Sequence, residues 1–244
     1  MHEPYRRMTG ADTVVLCVHG IQGSPAQFRW LVESLPESVD YQCLLLPGHG
    51  GTTREFAGAD DKAWRNCVQE AAHELRARYK RVIYVGHSMG CLLGILAAVR
   101  AGVRFDSMLL MACPLALRPT VRYAVNNWKA AVQKTPSNRW VRAAQEANSV
   151  FAAHPIAYLS CIKPYIGLFR LMAEARGALP QLNAPVIAVH SEMDEIVSIR
   201  SLGLLEGKAQ AQTMIAEESG HFLYSDKARG KIAGELLGLI DSAE

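Results

Sequence analysis

The 244-residue chain reads as an α/β protein, with a mostly parallel central sheet, helices on both faces and a helical cap insertion at about residues 114–180. Three observations predict this. Short, continuously apolar, β-rich runs alternate with stretches of helical period, the pattern of parallel strands covered on both faces. Hydrophobic residues make up 50% of the chain, enough for one large core at this length. Between about 114 and 180 the strand pattern lapses while helix-like patterns continue. The expectation is one domain over 1–244.

The polar opening, "MHEPYRRMTGAD", shows no strand pattern, and the first recognisable strand begins near Thr13, as Thr13–Val18. Ser24-Pro25-Ala26-Gln27 reads as a helix start: the serine can cap, proline suits the first helical position, and Gln27 completes a capping box. Tyr41–Leu46 is the next strand. Trp64, Val68, Ala71, Ala72 and Leu75 then keep a helical period. Val82–Val85 is a strand that runs into "VGHSMGC" and the uncharged run Met89 to Val99. Ser107–Met111 is the fourth strand. The insertion follows, holding Trp128, Trp140, Phe151, Tyr158, Tyr165 and Phe169. Strands at Val186–His190 and Gln212–Ile215 lead to a last helix marked by Ala228, Ile232, Ala233, Leu236, Leu237 and Ile240.

A net charge of +3 gives no reason to expect nucleic acid or an anionic membrane as partner. The run "VVLCV" is too short for a signal-peptide core, and Met89 to Val99 is far too short to span a bilayer. These features predict a soluble cytoplasmic protein without stable membrane insertion. The six cysteines form no CxxC or zinc-type spacing, which predicts buried reduced thiols and no metal.

The chemistry gathers at Gly86-His87-Ser88-Met89-Gly90. A serine between glycines, after a strand and before a helix, fits a tight turn that holds the hydroxyl above the sheet edge at a helix N-terminus. Such a nucleophile needs a base and an orienting acid. Of eight histidines, His221 in "EESGHFLY" lies in the loop before the last helix and is the candidate base. His19, His87 and His49 read as loop-setting residues, and His190 as a satisfied core residue. His73 falls on a helix, His154 in the insertion and His2 near the terminus. Asp194 in "HSEMDEIVS" follows a strand by a short turn, and the order Ser88, Asp194, His221 suits a hydrolase. Glu192 and Glu195 are neighbours that could be mistaken for the acid; the alternative for each is a solvated loop charge. The oxyanion donors would be the Met89 amide and one from His19-Gly20-Ile21-Gln22-Gly23, assigned to Ile21.

Together, "VVLCVHGIQGSP", "PGHGG", "DDKAW", "VGHSMGC", "MDEIVS" and "SGHF" resemble the α/β-hydrolase superfamily, in particular compact bacterial carboxylesterases and monoacylglycerol-lipase-like enzymes. The resemblance implies an α/β-hydrolase fold with a cap. It also implies cleavage of carboxylic esters of short to medium acyl chains through an acyl-serine, with Ser88, Asp194 and His221 catalytic, Ile21 and Met89 as donors, and no cofactor. Thioesterase, carbon–carbon hydrolase and perhydrolase chemistry share the same triad, and a non-catalytic ligand-binding protein on this fold is the rival of another class. The N-terminal hairpin of larger members looks absent. The insertion carries nine basic residues against Glu146 and Glu174. Those charges either complement acidic patches elsewhere or draw anionic esters to the site.

Overall fold

A computed structural model describes residues 2–133, 135–150, 160–209 and 211–241. Its frame is one seven-stranded sheet in the order β1-β3-β2-β4-β5-β6-β7. The strands are β1 (Tyr5–Arg7), β2 (Thr13–Val18), β3 (Val39–Leu44), β4 (Arg81–His87), β5 (Ser107–Met111), β6 (Val186–Ser191) and β7 (Gln212–Ala216). All neighbours pair in parallel except β1, which runs antiparallel to β3.

The continuous apolarity of the strands is explained by helices on each side. Along β2, Val14, Leu16 and Val18 enter one core and Val15 and Cys17 the other, as the two-residue period of a strand requires. The first core is roofed by α3 (Asp61–Arg78), α4 (Met89–Arg100) and α7 (Ile162–Ala178), through Trp64, Val68, Leu92, Leu96, Leu168 and Leu171. The second is covered by α1 (Arg29–Val32) and α9 (Asp226–Asp241), through Leu31, Ala228, Ile232 and Leu236. Each such buried aliphatic side chain contributes about 1.5–3 kcal/mol. The remaining helices are α2 (Thr53–Gly58), α5 (Val121–Val132), α6 (Arg139–Ala147) and α8 (Arg200–Ala209).

The structure corrects three local expectations. A strand does precede Thr13. β1 is three residues long and mostly polar, too short for a periodic signal, and polar bonds fasten it: Tyr5 Oη donates to Pro25 C=O at 2.9 Å and the Arg7 guanidinium to Val39 C=O. Ser24-Pro25-Ala26-Gln27 opens a 3₁₀ turn (Pro25–Phe28) with proline at its start, yet no capping box forms, because the Ser24 hydroxyl is buried and makes no cap bond. The second predicted strand runs Val39–Leu44 and not Tyr41–Leu46, since Leu46 already belongs to the turn at Pro47.

In the 114–180 segment, α5 and α6 pack on each other while α7 lies along α4 on the sheet. Phe151, His154, Pro155 and Tyr158 fall outside the described residues, as does the side chain of Trp128. Phe169 faces solvent on α7. Among the described basic residues of the segment, Lys163 and Arg170 pair with Asp60 and Asp61 at 3.5 and 3.6 Å, and Arg176 donates to Leu115 C=O. Lys163 and Arg170 are thereby matched by carboxylates outside the segment.

Candidate active site

Ser88 sits at the junction of β4 and α4 with φ 52° and ψ −121°, a conformation that costs a non-glycine residue about 1–3 kcal/mol. The flanking glycines make the turn sterically feasible. A Cβ at Gly86 would lie 2.8 Å from the Cys91 backbone, and one at Gly90 only 2.0 Å from Val18 C=O. The end of β2 thus presses directly on the first turn of α4. Met89 opens that helix, so its N–H belongs to the helix-start group that lacks intrahelical partners.

The loop after β2 lies against Ser88. A Cβ at Gly20 would come within 2.8 Å of Ser88 Cβ and 3.3 Å of its hydroxyl. Gly20 to Gly23 form a turn closed by Gly23 N–H donating to Gly20 C=O at 3.0 Å, with Gln22 at φ 55°. Two buried histidines hold this loop. His19 Nε2 accepts from Leu46 N–H at 3.0 Å, which leaves Nδ1–H to donate to Gly20 C=O at 2.8 Å. His49 Nε2 accepts from Gln22 N–H at 3.0 Å, and its Nδ1–H donates to Pro47 C=O. Both roles require neutral rings. Burial keeps His19 well below the usual imidazole range and takes His49 down to about 4.

A third clamp on the loop comes from the segment after α6, and nothing in the sequence marks it. Ser149 is fully buried; its N–H donates to Gln22 C=O at 2.8 Å, its hydroxyl donates to Gly23 C=O and accepts from Gly50 N–H.

Asp194 and His221 meet. His221 Nδ1 lies 3.0 Å from Asp194 Oδ2 and 3.2 Å from Oδ1, with both side chains nearly fully buried. Asp194 Oδ1 also accepts from Ile196 and Val197 N–H at 2.9 and 2.8 Å. Burial would raise the Asp194 pKa, but the His221 charge and these bonds outweigh it and hold the carboxyl below its ordinary value. His221 is tied in turn to the elbow. His87 Nε2–H donates to His221 C=O at 2.9 Å, and the two rings are 5.0 Å apart. Burial holds His87 neutral, with its pKa lowered to about 3. Among the described residues no hydrogen bond joins the His221 ring to the Ser88 hydroxyl.

The two glutamates part company. Glu192 is exposed and accepts from Glu218 N–H. Glu195 is buried rather than solvated, contrary to the sequence expectation, and it accepts the His221 N–H at 2.8 Å. Over His221 lie Tyr123, Asn126 and Trp140 of α5 and α6, around a cavity of about 10 Å³. A groove of about 430 Å³ lies elsewhere, at the entrance of β5 and β6 between Val99, Arg104 and Asn183. No serine, cysteine or histidine lines it. No cluster of three or more His, Cys, Asp or Glu side chains suited to a metal occurs among the described residues. No described helix is long and apolar enough to cross a membrane.

Comparison with known proteins agrees with this architecture. One of two metagenome-derived lipolytic enzymes, LipS and LipT, superposes with a TM-score of 0.74 at 20% identity, over 98% of this chain and 97% of that one. The monoacylglycerol lipase of Paleococcus ferrophilus gives 0.69 at 16% identity, over 98% of each chain. A meta-cleavage product hydrolase from Pseudomonas fluorescens IP01 gives 0.72 at 18%, over 99% of this chain and 95% of that one. No curated protein matches in sequence. At these identities the superpositions establish the fold. The sequence itself matches the model of the alpha/beta hydrolase family over residues 15–235, so with the elbow, the sheet order and this span in hand, the chain belongs to the alpha/beta hydrolase family.

Proposed function

We propose that the protein is a serine hydrolase that cleaves carboxylic esters through an acyl-serine intermediate. Ser88 is the nucleophile, His221 the general base, Asp194 the acid that orients it, and the Ile21 and Met89 amides receive the oxyanion. The observation that carries this reading is the buried Asp194–His221 pair, tied by His87 to the turn that strains Ser88. The short contact of Asp194 with Nδ1 leaves Nε2 as the nitrogen free to take a proton. The Ser88–His221 bond forms as substrate settles, since such bonds are often long in unliganded enzymes.

In the reaction, Ser88 Oγ attacks the ester carbonyl as its proton passes to His221 Nε2. The tetrahedral oxyanion lies at the head of α4 against the 20–23 turn. Collapse expels the alcohol, which takes the proton from His221. Water then repeats the sequence on the acyl-serine, with His221 again as base, and releases the acid. No cofactor enters these steps.

For the substrate we propose esters of short to medium acyl chains, monoacylglycerols among them; the structural likeness to lipolytic enzymes supports that range. We take 114–180 as the cap insertion, with α5 and α6 the part that roofs His221. We place the protein in the cytoplasm, in keeping with six free cysteines.

The test combines an alkyl fluorophosphonate, read by intact mass, with a panel of esters graded by acyl length and charge and one thioester. The expected result is one adduct and ester turnover, both lost in Ser88→Ala. A folded wild-type protein that takes no adduct and turns over nothing in the panel would refute the reading and favour a binding protein.

A further inference from the structure

Glu195 does more than occupy a loop. Its side chain is only 10% exposed, and Oε2 accepts the backbone N–H of His221 at 2.8 Å. Oε1 lies 3.8 Å from the guanidinium of Arg122 on α5. That guanidinium also donates to Met193 C=O and lies 5.0 Å over the Trp140 ring. Trp140 closes the circle: a Cβ at Gly220 would come within 2.4 Å of its ring and 2.8 Å of the Glu195 carboxylate. The main chain of His221 is therefore held on both sides, its N–H by Glu195 and its C=O by His87.

A neutral acceptor would satisfy one N–H. A carboxylate makes a stronger bond there, but taking its charge out of water is costly unless a cation accompanies it. Arg122 is that cation, and it comes from a different part of the chain. Resting on the triad reading above, we propose that Glu195 is a positioning residue for His221 and that its ion pair with Arg122 makes helix α5 part of the same support. The carboxylate fixes the histidine main chain, and its charge, offset by the guanidinium, helps set how tightly the imidazole holds a proton.

The groups facing His221 make the sign clear. Asp194 and Glu195 approach from the loop after β6, His190 from β6 itself and His87 from the elbow; Arg122 of α5 reaches it through Glu195, Tyr123 of α5 lines the same small cavity, and Tyr224 of the following loop lies against His87. His87 is neutral and burial lowers His190, so the balance lies between two carboxylates and one guanidinium. Removing the Glu195 charge lowers the proton affinity of the imidazole. Removing the Arg122 charge raises it.

The experiment measures the rate of Ser88 modification by an alkyl fluorophosphonate from about pH 5 to 9, where the acid limb reports the base. Wild type is compared with Glu195→Gln, which keeps an acceptor oxygen, and Arg122→Met, at a half-exposed position. The acid limb is expected to move down by about half a pH unit in Glu195→Gln and up by a similar amount in Arg122→Met. Thermal unfolding of each variant verifies that it is folded. Rates that fall while both limbs stay within about 0.2 units of wild type, or limbs that move the same way, would overturn the proposal. A wild-type protein without a Ser88 adduct would remove the triad reading and this inference with it.

Discussion

Replacing Ser149 by alanine probes whether the segment after α6 controls the loop that faces Ser88, the proposed nucleophile. The Ser149 hydroxyl donates to Gly23 C=O and accepts from Gly50 N–H at 3.2 Å, while its own N–H holds Gln22 C=O and survives the change. Gly50 is exposed, so its amide finds water; Gly23 is buried, so its carbonyl loses a partner in a dry place. One unmet buried group costs about 1–3 kcal/mol. For a chain of this size that lowers Tm by about 2–12 °C. The catalytic cost is separate. Gln22 is kept at φ 55° only by its surroundings, and relaxation there is expected to swing the amide of Ile21, the proposed oxyanion donor, out of line. Loss of one oxyanion donor removes about 10²–10³ in kcat, and partial misalignment is expected to cost about tenfold with KM little changed. Steady-state hydrolysis of the best ester in the panel, beside thermal unfolding, tests both. A variant whose Tm falls while kcat holds would show that the clamp serves folding only, and refute its role at the loop.

Gly90→Ala and Gly234→Ala form a matched pair. The first drives a methyl group to 2.0 Å from Val18 C=O, against backbone that cannot give way, and is expected to lose more than about 4 kcal/mol or yield no soluble protein. The second meets nothing within 4 Å on α9 and should gain up to about 1 kcal/mol; urea titration ranks them, and equal stabilities would contradict the packing. His49 supplies a pH prediction. Its folded pKa, lowered by burial to about 4, lies below the usual 6.5, so between those values the unfolded chain takes up a proton that the folded chain refuses. Stability is full above about pH 6.5 and falls as the solution is acidified. Glutamine can supply the acceptor for Gln22 N–H, so His49→Gln should flatten that fall by about 1.4 kcal/mol per pH unit between pH 6 and 4, as read by urea unfolding; an unchanged slope would speak against a neutral, buried ring.

Much of this architecture was legible because apolar runs and turn residues carry their own geometry. β2, β4, β5 and β6 each carry a continuous apolar run since helices cover both faces, and the glycines at 86 and 90 announce a turn no other residues could make. The Asp194–His221 pair followed from strand ends and loop order. What escaped was held by partners distant in sequence. β1 is three residues long and depends on Arg7 and on Asp40, whose carboxylate collects the amides of Thr9 and Gly10. Glu195 looks like any loop acid until Arg122, 73 positions earlier, lies beside it. Ser149 has no motif, since its partners are main-chain atoms. Ser24 and Gln27 misled for the opposite reason: a familiar local signature met a tight 3₁₀ turn that turned the serine inward.

The attachment of α5 and α6 has a practical meaning for anyone wishing to alter what this scaffold accepts. Among the contacts by which the helical roof reaches the proposed catalytic site are a hydroxyl on the 22–23 carbonyls, a guanidinium against Glu195 and the Trp140 ring against Gly220. A foreign roof grafted between residues 119 and 149 must therefore reproduce these contacts, or it will deliver new selectivity to a slackened site. Conversely, libraries that vary the residues between Arg122 and Ser149 but keep Trp140 can reshape the chamber while sparing the packing on Gly220 and Arg122.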